Sequence, residues 1–75
     1  MNAIQCKMAR AALGWGTRDL ARNARVSPDT IARLERGEQL KCSTITAIRA
    51  AFENAGIEFI PANGGGPGVR LAKSR

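Results

Sequence analysis

Downstream of Ser27, the charged residues Asp29, Arg33 and Arg36 recur at i, i+4 and i+7, on one face of a helix whose opposite face carries Ile31 and Leu34. A guanidinium presents five donors in a rigid fork and pairs in twos with carboxylate, phosphate or the acceptor edge of a base. The rest of the chain leans the same way: its 75 residues carry twelve Lys and Arg against six Asp and Glu, a formal net charge of +6. Such a basic excess in a small chain favours a polyanionic partner, nucleic acid before membrane. Catalysis has little to work with. There is no histidine, so no Ser/His or Cys/His set exists. Cys6 and Cys42 have neither CxxC spacing nor histidine companions, which argues against a metal or redox centre. The chain reads as a binding protein, not an enzyme, with no cofactor and no metal.

Two short helices must position that charged face. In residues 17–24, Leu20, Ala21 and Ala24 share one side. The chain breaks at Arg25 and Val26. Ser27 then offers an N-cap oxygen, Pro28 suits the first helical position, and Gly37 closes the helix. Helices of eight or nine residues joined by so short a break cross steeply, in helix-turn-helix geometry, and the outer face of the second is exposed. Ahead of them, residues 2–13 form a first helix with two apolar stripes, Cys6, Ala9 and Leu13 on one and Ile4, Met8 and Ala11 on the other. Trp15, between two glycines, is assigned to core packing, with base stacking as the alternative.

After a polar loop, Ser43 and Thr44 supply capping hydroxyls to a fourth helix over roughly 43–55, with Ile45, Ile48, Phe52 and Ala55 on its core face and Gly56 at its end. The period then changes. Residues 57–60 and 69–71 are β-prone around a glycine-rich block, which reads as a hairpin, with a flexible tail as the alternative. The expected fold is mainly α: a four-helix domain over 1–56, then a C-terminal β-hairpin and tail over 57–75. No apolar run approaches the ~20 residues that span a bilayer, and the N-terminus lacks the apolar stretch of a signal peptide, so the expected location is cytoplasmic.

The pattern resembles the Cro/CI-type helix-turn-helix family, also called the XRE family, of bacterial and phage repressors. The resemblance rests on Leu13, Gly14 and Trp15; on Asp19, Leu20 and Ala21; on the run Val26, Ser27, Pro28, Asp29, Thr30 and Ile31; on Leu34, Glu35, Arg36 and Gly37; and on Ile45 and Ile48. It covers about residues 3–56. Three positions depart from the family pattern. Gly16 and Thr17 replace the usual Ser or Asn and Gln, and Arg25 replaces the usual turn glycine.

The resemblance implies a four-helix repressor-like fold and an ion pair between Arg10 of the first helix and Glu35 of the third. Glu35 lies beside Ile31 and Leu34 on the wheel, and an inward carboxylate needs a cation. The resemblance also implies that helix 28–36 enters the major groove of double-stranded DNA, with Asp29, Thr30 and Arg33 meeting bases. Arg33 would donate twice to a guanine, with Asp29 orienting it or accepting from cytosine. Thr17, Ser27, Arg36, Lys41 and Ser43, at helix starts or in the loop after the third helix, would meet phosphate. A homodimer on a palindromic site is expected, built through Ile57, Phe59, Ile60, Val69 and Leu71, with the hairpin packed on the Ile4 and Met8 stripe. The expected function is a sequence-specific transcriptional regulator. The alternative is an antitoxin or adaptor module whose main role is to bind a regulatory protein partner.

Overall fold

The computed structural model describes residues 1–72. Four helices, α1 (Ala3–Leu13), α2 (Thr17–Ala24), α3 (Pro28–Glu35) and α4 (Cys42–Asn54), precede two strands, β1 (Ile57–Ile60) and β2 (Gly68–Leu71). The protein is mainly α and ends in an antiparallel hairpin. Residues 73–75 of the expected tail lie outside the described residues.

Two helices start on side-chain caps. Asn2 Oδ1 accepts from the Gln5 N–H at 2.8 Å, and Gln5 Oε1 accepts from the Asn2 N–H at 3.0 Å, a reciprocal box that starts α1. Ser27 Oγ accepts from the Thr30 N–H at 3.1 Å, and Pro28 takes the first position of α3. The other two helices start at Gly16 and Lys41, and neither has a side-chain cap. The expected capping by Ser43 and Thr44 does not occur, and Thr17 does not cap α2. Helix α2 already includes Thr17, and α4 begins at Cys42, so these hydroxyls sit within the first turns and not ahead of them. Asp19 supplies a partial substitute at α2 by accepting from the Gly16 N–H at 2.8 Å.

The helix ends depend on left-handed residues. After α3, Gly37 has φ +90°; its N–H donates to Leu34 O at 2.9 Å, and the Glu38 N–H donates to Arg33 O at 3.1 Å. Arg36 is the C-cap, one residue beyond the helix proper. After α2 the same role falls to Arg25, the one non-glycine with positive φ (60°) among the described residues, a strain on the order of 1 kcal/mol.

One core ties all elements together. Phe52, Leu20, Ile31, Ile48 and Cys6 are fully enclosed. Helix α2 packs on α3 and α4, α1 on α3 and β2, and α4 on β1. Trp15 stacks on Phe52 (centroids 5.9 Å apart, planes at 21°), and Phe59 meets the same ring edge-on at 6.0 Å. Trp15 is thus a core residue.

The hairpin belongs to this core. Ile57 pairs with Leu71 and Phe59 with Val69, which puts these four on one face. Ile57 is buried, and Phe59 and Val69 pack against the core. The outer face carries the Glu58–Arg70 ion pair at 2.8 Å. The hairpin does not dock through Ile4, which stays 58% exposed. It docks through buried Gln5, whose Nε2 donates to Ile60 O at 3.3 Å and Gly68 O at 3.1 Å. Strand carbonyls need donors, and an aliphatic stripe has none to give.

Candidate nucleic-acid interface

Helix α3 is engaged on two sides. On its inner side, Arg10 Nε and Nη2 donate to the two oxygens of Glu35 at 2.7 and 2.8 Å, and Arg10 Nη1 donates to Trp15 O at 3.2 Å. The Cys6 thiol donates to Glu35 Oε2 at 3.1 Å. Burial alone would raise the Glu35 carboxyl; hydrogen bonds from Arg10 and Cys6, with the charges of Arg10 and Lys7, outweigh it and hold the carboxyl below its ordinary value. The Cys6 thiol is pushed up to about 12, first by burial, then by its bond to Glu35 and that carboxylate's charge. Such a thiol is a packed hydrophobe with one donor, not a nucleophile.

On its outer side, α3 presents Asp29, Arg33 and Arg36. Asp29 is exposed and makes no side-chain hydrogen bond among the described residues, so the expected Asp29–Arg33 contact does not form. Arg33 turns to the far end of its helix, where Glu38 Oε1 accepts from its Nε at 3.0 Å. Arg36 donates Nε and Nη2 to Glu38 Oε2 at 3.2 and 2.9 Å. Hydrogen bonds from Arg33 and then Arg36 hold the Glu38 carboxyl below its usual range. The turn at Gly37 explains the exchange of partners, because it folds Glu38 back over the last turn of α3.

The remaining expected contact residues lie at the starts of three helices. The Ser27 and Thr30 hydroxyls bond each other at 2.9 Å at the start of α3. Thr17 is half-buried in the first turn of α2. Lys41 and Ser43 are exposed at the start of α4. The two helix starts without side-chain caps, those of α2 and α4, flank α3 in the chain and hold Thr17, Lys41 and Ser43, whereas Ser27 and Arg36 cap α3 itself. Arg18, Arg25 and Lys41 are exposed and have no carboxylate partner among the described residues.

Of the residues expected to join two copies, Ile57 and Phe59 face the chain's own core, and Val69 packs beside them. Ile60 (36% exposed) and Leu71 (55%) remain at the surface. Ile57 is a correction to the sequence reading: β-propensity marked a strand, but the pairing register decides which side it shows.

Sequence reasoning missed two polar residues. Gln5 was readable from the Asn2-x-x-Gln5 spacing, a capping-box signature. Glu38 was readable as an acid directly after a helix-closing glycine and next to two arginines. Among the described residues, no group of three or more His, Cys, Asp or Glu side chains could hold a metal ion, and no helix is long and apolar enough to cross a membrane. No protein-family model matches the chain, and no curated protein matches it.

Proposed function

We propose that the chain is a sequence-specific double-stranded DNA-binding transcriptional regulator of the helix-turn-helix kind, which inserts α3 into the major groove. One observation carries this reading. Helix α3 follows α2 through residues 25–27, with Arg25 left-handed; its inner side is fixed by the Arg10–Glu35 pair, and its outer side carries Asp29, Arg33 and Arg36. In the chain, α3 is preceded and followed by helix starts without side-chain caps, whose positive dipole ends suit phosphate, and Arg18, Arg25 and Lys41 are exposed cations. Arg33 is the base-contacting residue, with Thr30 and Asp29 nearer the helix start; Lys41 and Ser43 meet the backbone.

The test is a selection from a random duplex pool, followed by titration of the winning sequence and a random one at several salt concentrations. Specific binding with a steep salt dependence is expected. A flat salt response, or equal affinity for both duplexes, rejects the reading. A single such unit reads few base pairs, so the working form is a homodimer whose contact includes the exposed Leu71. Removing residues 57–75 would also strip the core of Ile57 and Phe59, so Leu71→Asp is the cleaner probe. It should lower the sedimentation coefficient and weaken binding to a two-half-site duplex.

A second reading, an antitoxin or adaptor that binds a partner protein, is favoured by an open groove of about 530 Å³ whose lining includes Met1, Ile4, Leu34, Leu40 and Ile45. A protein encoded beside this one that binds the wild type but not Ile4→Asp, with no duplex selected from the pool, would favour that reading over the first.

A further inference from the structure

Arg33 and Arg36 share one carboxylate but meet it differently. Arg33 gives only Nε, to Glu38 Oε1 at 3.0 Å. Its two terminal nitrogens keep their donors, and those two form the fork that reads O6 and N7 of a guanine. Arg36 gives Nε at 3.2 Å and Nη2 at 2.9 Å, both to Oε2, so one whole edge of its guanidinium is occupied. Glu38 is not carried on a loose loop. Its backbone N–H donates to Arg33 O at 3.1 Å behind Gly37 at φ +90°, which fixes where the carboxylate begins. A side chain held before its ligand arrives loses less freedom on binding.

We propose that Glu38 sets the sequence discrimination of this face: it braces Arg33 through Nε with the terminal fork open for a base edge, and it ties Arg36 back from backbone phosphate. The proposal rests on the DNA-binding reading above and makes Glu38 a positioning residue. Its removal has two separable effects. Arg33 loses its brace, so preference at one base pair falls. Arg36 is released and a negative charge leaves the surface, so affinity for every duplex rises and its salt dependence steepens, by a slope of about 0.9 for each phosphate newly contacted.

The experiment uses the full chain as wild type, Glu38→Ala, Glu38→Gln, Arg33→Ala and the Glu38→Ala/Arg33→Ala double variant, each checked for wild-type circular dichroism. Each is titrated at several salt concentrations against the selected duplex, the same duplex changed at the base pair where Arg33→Ala relaxes preference, and a random duplex. In the wild type that change should cost roughly 5- to 150-fold, the range of a good bidentate contact. Glu38→Ala should bring the penalty down towards that of Arg33→Ala, while binding the random duplex more tightly and with a steeper salt slope. In the Arg33→Ala background, Glu38→Ala should shift all duplexes alike and leave the penalty unchanged. Glu38→Gln keeps an acceptor for Nε without the charge, so it should restore part of the penalty and keep the steep slope. A wild-type penalty in Glu38→Ala, or an equal loss of affinity on every duplex, overturns the proposal. Absence of any duplex preference in the wild type is a different failure, that of the DNA-binding reading itself.

Discussion

Helix α3 is gripped by arginine–carboxylate contacts in two places, and depth separates what they do. At the inner contact, the Arg10 and Glu35 side chains are 22% and 9% exposed, and the carboxylate also accepts from a buried thiol. At the outer contact, Arg33 and Glu38 are 43% and 44% exposed, with water free to replace either partner. The distances differ little, 2.7 Å against 3.0 Å. A half-buried pair whose remaining donors and acceptors are satisfied resists loss of either member, because the survivor is left charged and desolvated. An exposed pair contributes little to the stability of the fold, because either partner is solvated when the other is lost. The inner contact therefore holds the helix in place, and the outer one orients side chains at its surface.

The largest expected effect breaks the comparison on its inner side. Arg10→Ala or Glu35→Ala should destabilise the fold towards the ~3–5 kcal/mol typical of a broken buried pair, less whatever exposure of Arg10 relieves. Glu38→Ala and Arg22→Ala should leave the melting temperature unchanged. Equal melting temperatures for all four variants would erase the distinction. Next in size is the response to pH. The folded Glu35 pKa is lowered, so its contribution is complete above the ordinary value of 4.5 and is lost as pH falls through the folded value. Acid unfolding of Glu35→Gln should be correspondingly shallower below that pH. The Cys6 thiol shows the opposite sign. With its pKa raised to about 12 from 9.0, its contribution is complete below about 9 and is lost as pH rises between those values. Cys6→Ala should flatten this alkaline limb in chemical-denaturation curves.

The outer side is sharpened by binding measurements. Arg33→Ala should cost ~1–3 kcal/mol on the selected duplex and relax preference at one position, whereas Lys41→Ala should weaken binding to all duplexes alike. The smallest effect concerns the junction between the helices. Arg25→Gly should relieve the left-handed backbone and stabilise the fold by at most about 1 kcal/mol, offset by the greater freedom of glycine in the unfolded chain. Thermal denaturation measures this directly, and a destabilised variant would mean that the Arg25 side chain contributes more than its backbone costs.

The features governed by local rules were readable in the chain. Ser27, Pro28 and Gly37 delimit α3 because capping and left-handed geometry depend on neighbours in sequence. Periodicity placed Leu20, Ile31, Ile48 and Phe52 in the core for the same reason. What escaped was set by contacts across sequence. Which side of the hairpin faces inward depends on pairing register, so Ile57 appeared available to a second copy when it is enclosed. Whether Arg33 turns to Asp29 or Glu38 depends on how the chain folds back at Gly37, and helical spacing favours the wrong acid. Two apolar stripes on α1 suggested two buried faces, yet Ile4 stays in solvent because a glutamine beside it meets the carbonyls of the hairpin.

That glutamine also links the two ends of the chain. The same amide closes the first turn of α1 through its oxygen and holds strand carbonyls 55 and 63 residues away through its nitrogen. Fraying of the first turn and loosening of the hairpin should thereby be coupled. In native-state hydrogen exchange the amides near residue 5 and those of β1 and β2 should form one cooperative unit with a shared opening free energy, below that of the α2–α4 core. Gln5→Ala should leave that core's protection in place while both ends exchange faster together.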